Sequence, residues 1–205
     1  MKTCYIVGAG DFSQSFTPNK DDLVIAADGG YDHLLGKGIR CDLVVGDLDS
    51  IKALPSSVET VRHKVEKDET DMHLCYIEGA RRGYERFKIY GGCGGRDDHT
   101  FANYCLLLYI RENGGRAELY SDYGRIFVIK DERIDLPAEP DGTVSVFAFG
   151  GDAHGVDIRG LYYEVEDITL TKSFPLGVSN HFVGRDAEIN VRDGALLVIC
   201  ETRSS

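Results

Sequence analysis

Tryptophan is absent from the 205-residue sequence, proline occurs five times and methionine twice. Proline this sparse, with 24 scattered glycines, excludes a collagen-like or low-complexity chain. Basic residues are outnumbered, 23 Lys and Arg against 34 Asp and Glu, giving a formal charge of −11. Such a field repels nucleic-acid backbones and anionic lipid, so neither is expected as a partner. No C-x-x-C pair joins the six cysteines, which argues against a zinc ribbon and gives no disulfide framework; reduced, mostly buried thiols are expected. The longest apolar run, Tyr104 to Ile110, is too short to cross a bilayer, and the four apolar residues before Gly8 are too few for a secretory core. A cytoplasmic protein without a membrane span is the expectation.

What remains is globular, with 42% hydrophobic and 28% charged residues, and long enough for one domain or two small ones. In the first half, short β-branched runs at Thr3–Val7, Leu23–Ala27, Leu43–Val45 and Phe87–Tyr90 end at Gly or Asp and alternate with helix-like stretches at Thr70–Arg82 and Asp98–Asn113. The second helix carries Phe101, Cys105 and Leu108 at helical spacing and stops at Asn113-Gly114-Gly115. This pattern predicts an α/β domain with a mostly parallel, Rossmann-like sheet. After Leu119 strand-like segments follow without helices: Arg125–Ile129, Thr143–Phe149, Leu161–Val165, Ala187–Val191 and Ala195–Cys200. An all-β antiparallel domain is predicted there, with a linker near Asp122 to Pro140 and domains at 1–125 and 126–205. No internal repeat is visible.

Chemistry concentrates where the predicted parallel strands end. Asp47 and Asp49 follow a buried strand within Gly46-Asp47-Leu48-Asp49-Ser50, and two crowded carboxylates there suit Mg²⁺, which takes one or two carboxylates plus substrate phosphates. A solvated Asp-rich turn is the plainer alternative. Asp68-Glu69-Thr70-Asp71 opens a helix; Thr70 or Asp68 would serve as its cap, while Asp71 would meet Asp47 and Asp49 around one metal. Gly91-Gly92-Cys93-Gly94-Gly95-Arg96-Asp97-Asp98-His99 lets backbone approach an anion closely at a helix start, with Arg96 as bidentate donor and His99 as a contact to ligand or carboxylate. It is not a Walker loop. Gly8-Ala9-Gly10 and Asp28-Gly29-Gly30 are ordinary turns taken singly. Together the four strand ends imply one anion-and-metal crevice.

Asp28-Gly29-Gly30, Gly46-Asp47-Leu48-Asp49-Ser50, Asp68-Glu69-Thr70-Asp71, Gly94-Gly95-Arg96-Asp97-Asp98-His99 and Ser179-Asn180, in this order and spacing, resemble the thiamine pyrophosphokinases over nearly the whole chain. The resemblance implies an α/β catalytic domain that binds ATP and Mg²⁺, then a β-sandwich that binds thiamine. It also implies a homodimer with active sites between subunits, moving the terminal pyrophosphoryl group of ATP to thiamine. By the same resemblance Asp47, Asp49 and Asp71 form the Mg²⁺ and phosphate centre, and Asp28, Thr70, Arg96 and Asp98 the nucleotide shell. Ser179 and Asn180 fall on the thiamine side; with no Trp to stack on thiamine, Phe174 or Leu176 would take that place. Asp71 is the first choice for accepting the alcohol proton. Three other readings stand beside this one: a related pyrophosphokinase for another hydroxyalkyl heterocycle such as a hydroxymethylpterin, a nucleotide- or thiamine-binding regulator, and a metal phosphohydrolase.

Overall fold

The structure, a computed structural model, describes residues 2–47, 58–62 and 68–201. Residues 1–106 with 114–122 form one compact unit, and residues 107–113 with 123–205 a second.

The first unit runs β1 (Cys4–Val7), β2 (Leu23–Ala27), α1 (Gly30–Gly36), β3 (Leu43–Gly46), β4 (Glu59–Arg62), α2 (Asp71–Arg81), β5 (Arg86–Tyr90), the start of α3 (Asp97–Glu112) and β6 (Arg116–Ser121). Its sheet order is β6-β5-β1-β2-β3-β4 and every pairing is parallel. The strands read VLIA-like because both faces are covered: β1, β2 and β3 are buried throughout. The order reverses between β1 and β5. That is the switch point outside whose strand ends open α/β sheets bind ligands.

The β1–β2 connection has no helix; residues 11–18 alternate exposed and half-buried, with Phe12 and Phe16 turned inward. Phe16 stacks on Tyr5 at 4.4 Å and Tyr90 at 4.8 Å, so aromatic contact covers that sheet face where a crossover helix would. In α3 the predicted stripe is not the buried one: Phe101 and Cys105 are exposed and Leu108 half-buried, while Asn103, Leu106, Leu107 and Ile110 are buried. Both sets have helical spacing, and only packing chooses between them. Helix α1 and strands β4 and β6 have no counterpart among the expected elements.

The second unit contains β7 (Gly124–Lys130), β8 (Arg133–Leu136), β9 (Thr143–Ala148), β10 (Ala153–Arg159), β11 (Val165–Leu170), β12 (Gly177–His181), β13 (Ala187–Asp193) and β14 (Ala195–Glu201). They pair antiparallel in two sets, β12-β9-β14-β7 and β11-β10-β13-β8. One core joins them, including Val144, Val146, Val156, Ile189, Leu196 and Val198. The linker expected at Asp122 to Pro140 is instead occupied by β7 and β8. The strand expected at Leu161–Val165 begins only at Val165; Leu161 makes a single bridge to Phe182, and Tyr162 and Tyr163 are exposed. Among the described residues no helix is long and apolar enough to cross a membrane.

Candidate active site

A cleft of about 470 Å³ opens in the first unit. Two loops that leave the adjacent strands β1 and β5 form its floor. They are laced together: Gly8 N donates to Tyr90 O, Gly10 N to Gly91 O and Asp11 N to Cys93 O, each at 2.8 Å. Approach this close requires glycine, since a side chain on Gly8 or Gly10 would strike the Gly91 carbonyl. Gly91, Gly94 and Gly95 have φ of 60°, 81° and 72°, so the turn after β5 is built from left-handed backbone.

Acidic groups enter from β2 and α2. Asp28 follows β2 with φ 43°, its N–H held by Val45 O at 2.9 Å and its carbonyl accepting from Tyr31 N. Aspartate tolerates this conformation better than most residues, and the constraint turns the chain sharply into α1 beside the end of β3. Gly46 lies against Asp28, where an added methyl would come within 3.1 Å of Asp28 Cβ. Thr70 is the N-cap of α2, its hydroxyl accepting from His73 N at 3.2 Å, so the capping alternative holds for Thr70 rather than Asp68. Asp71 follows in the first turn.

Of the residues singled out in the sequence, Gly8, Gly10, Asp28, Thr70, Asp71, Arg96 and His99 line this cleft. Gly29, Asp47 and Asp98 are not among its lining; Asp47, half-buried, follows the end of β3. Asp49 lies outside the described residues. Among the described residues no three His, Cys, Asp or Glu gather closely enough to hold a metal ion. Asp28 and Asp71 nonetheless give the cleft hard oxygen donors, which fits an ion that needs only one or two carboxylates beside substrate phosphates.

Arg96 and Asp98 face each other: Nε donates to Oδ1 at 3.1 Å and Nη2 to Oδ2 at 2.6 Å, while Oδ1 also accepts from His99 N. The Arg96 pairing, with the His99 N–H, holds the Asp98 carboxyl below the usual carboxylate range. With side chains 72% and 63% exposed the pair is weak, and an arriving polyphosphate can replace the carboxylate on the guanidinium. Burial pushes the Cys93 thiol up, against a hydrogen bond from Tyr104, so the thiol in this turn is protonated at neutral pH.

In the second unit, Ser179 and Asn180 lie on edge strand β12. Ser179 is exposed, with φ 59° at a register shift against β9, and its N–H reaches Ser145 Oγ at 3.0 Å. Asn180 is buried, and its amide is committed to backbone: Nδ2 donates to Tyr163 O at 2.7 Å, and Oδ1 accepts from Tyr163 N and His181 N at 2.9 Å. The loop it holds presents Tyr162 and Tyr163 outward, Tyr162 stacked on His181 at 4.6 Å. Phe174 and Leu176 are exposed as well.

Sequence reasoning missed Asn103 and this tyrosine pair. Asn103 had a signal, a lone amide among Leu106, Leu107 and Ile110 at helical spacing.

A family model for the thiamin pyrophosphokinase catalytic domain matches residues 17–119, and one for the thiamin pyrophosphokinase vitamin B1 binding domain matches 131–196. The chain belongs to the thiamin pyrophosphokinase family. It is 26% identical over 216 residues to a thiamine pyrophosphokinase of Bacillus subtilis, covering 98% of this chain and all of that one. Solved structures share the fold. A thiamine pyrophosphokinase from Bacillus subtilis superposes with a TM-score of 0.87 at 24% identity, covering 98% of this chain and 100% of that one. A thiamin pyrophosphokinase family protein from Enterococcus faecalis gives 0.86 at 23%, with both chains fully covered.

Proposed function

We propose that this family member transfers the terminal pyrophosphoryl group of ATP to the hydroxyethyl oxygen of thiamine. The hydroxyl oxygen attacks the β-phosphorus, the bond from that phosphorus to the α,β-bridging oxygen breaks, and AMP leaves as thiamine diphosphate forms. The hydroxyl proton passes to a carboxylate, with Asp71 the first choice, or to water. Such a transfer is catalysed chiefly by positioning and by neutralising phosphate charge. Arg96 would supply the cation, Asp28, Thr70, Asp98 and His99 the nucleotide shell, and the glycines at 8, 10 and 29 close backbone. Asp47, Asp49 and Asp71 would hold Mg²⁺, which when bound would neutralise the phosphates.

The observation that carries this reading is the two family matches in series, the catalytic one over the unit with the switch-point cleft and the vitamin B1 one over the antiparallel unit. The second match disfavours a pterin acceptor. The division at 1–125 and 126–205, a Rossmann-like first half and a sandwich second half belong to the same proposal. So does a homodimer whose sites draw on both copies, with Ser179 and Asn180 on the thiamine side; exposed Tyr162, Tyr163, Phe174, Leu176 and Val178 favour a covered surface there. A cytoplasmic location belongs to the same proposal.

The test is incubation with Mg·ATP and thiamine followed by mass analysis. AMP and thiamine diphosphate should appear in equal amounts. ADP with thiamine monophosphate, or turnover of a hydroxymethylpterin in place of thiamine, overturns the assignment.

A further inference from the structure

Four successive carbonyls at the end of β5 have identified donors. Tyr90, Gly91 and Cys93 are served by backbone N–H groups of residues 8, 10 and 11. The fourth, Gly92 O, accepts from a side chain, Asn103 Nδ2 on α3, at 2.7 Å. Gly92 is buried, and Asn103, only 5% exposed, shares its helix face with Leu106, Leu107 and Ile110 and itself lines the cleft beside His99 and Ala102. A buried amide on such a face is costly unless its hydrogen bonds are made, and leucine would pack better for stability alone. We infer that Asn103 is a positioning residue for the nucleotide: it fixes the 92–93 peptide and, through it, the path of Gly94, Gly95 and Arg96 along the cleft.

The reason lies in the backbone that follows. Gly94 and Gly95 both sit at positive φ, where glycine has other accessible conformations of similar energy. A turn of this kind is held by its hydrogen bonds rather than by side-chain sterics. Three of the four carbonyl ties at residues 90–93 come from the neighbouring loop and would move with it. Asn103 ties α3 to a carbonyl at the head of the turn, where Tyr104 of the same helix also meets the Cys93 thiol, and Thr100 holds Arg96 O at the far end.

This inference rests on the proposed use of the cleft for ATP, and the experiment separates the two. Three quantities are measured on wild type, Asn103→Leu and Asn103→Asp: Mg·ATP affinity by calorimetry without thiamine, steady-state KM and kcat, and amide exchange of residues 91–96 in ligand-free protein. In Asn103→Leu, Kd and KM for ATP should rise on the order of tenfold, the factor that loss of one buried hydrogen bond gives. Exchange of 91–96 should speed by a similar factor, while KM for thiamine stays within twofold. Asn103→Asp keeps the shape but loses the donor; its ATP affinity should recover relative to wild type as pH falls and the carboxyl regains a proton to give Gly92 O. It also keeps the question open to measurement if the leucine variant fails to fold. Asn113→Ala removes a chemically similar bond, Asn113 Nδ2 to Tyr109 O, at the exposed end of the same helix and should change none of these readouts. Wild-type ATP affinity in Asn103→Leu overturns the inference, as does weakened affinity with unchanged exchange, which would make Asn103 a direct contact. A wild type that binds Mg·ATP yet forms no thiamine diphosphate sinks the reaction and leaves these comparisons intact.

Discussion

Replacing Asn180 by alanine distinguishes a ligand contact from a structural pin. Its amide makes three hydrogen bonds, one to the Tyr163 carbonyl and one each from the Tyr163 and His181 N–H groups. The side chain is 6% exposed, so water cannot take over all three without a rearrangement of β12. Each lost bond in such a part-buried setting costs on the order of 1 kcal/mol, so Asn180→Ala should lose about 2–4 kcal/mol. For a chain of this size that corresponds to a fall in Tm of roughly 5–12 °C. Function should follow the loop rather than the amide. With Tyr163 released, the Tyr162–His181 stack loses its support, and KM for thiamine should rise while kcat changes little. Asn180→Asp keeps both acceptor positions but sets a buried carboxylate oxygen against the Tyr163 carbonyl, so its Tm should rise toward wild type as pH falls and the carboxyl regains a proton to donate. Thermal unfolding beside steady-state kinetics reads both effects. An unchanged Tm accompanied by loss of activity would refute the pinning argument and return Asn180 to direct contact with substrate.

Three further outcomes are expected. Asp22 is buried, which raises its carboxyl pKa, but the Thr3 and Asn19 N–H groups, the Asn19 amide and Arg40 outweigh burial and hold it below the usual range; its stabilisation is therefore present above the unfolded value of about 4 and lost as pH falls through the lower folded value, so the Tm gap between wild type and Asp22→Asn should be full at pH 7 and close below about pH 4. A gap of constant size across that range contradicts this. Asp49→Asn should lower kcat on the order of 10²-fold or more at saturating Mg²⁺, and chelation should abolish wild-type turnover until Mg²⁺ is restored; near-normal kcat removes Asp49 from the centre. If each site draws on both copies, specific activity should fall on dilution in step with dissociation followed by sedimentation, and a fully active monomer would end that proposal.

The parts of the fold that were legible in the sequence are those fixed by local rules. Parallel strands buried on both faces read as continuous apolar runs, and the Gly and Asp residues that stop them mark their carboxyl ends, so β1, β2, β3 and β5 and their loops could be found. Their order could not, because the placement of β5 beside β1 is a long-range pairing with no local signature. The switch point therefore emerges only in three dimensions, although both loops that flank it were visible. The antiparallel half was harder: Leu161-Tyr162-Tyr163 carries the apolar texture of a strand, yet Leu161 makes only a lone bridge and β11 begins at Val165.

Amides and guanidiniums were the least legible, for a related reason. A carboxylate declares its chemistry wherever it lies, since its charge must be solvated, paired or ligated. An amide is defined by its partner, and the partner of Asn103 is a carbonyl 11 residues away while that of Asn180 is the backbone 17 residues away. Arg96 shows the same dependence at short range: in sequence it is a cation at a glycine turn, in the fold a cation already matched to Asp98. Its availability to phosphate is thus an exchange equilibrium rather than a vacancy, and the exposure of both partners keeps the cost of that exchange low. The same turn therefore combines a firm element and a loose one. The Gly92 carbonyl is fixed from beneath by a buried amide, while the charge that would meet the phosphate rests on a carboxylate it can leave.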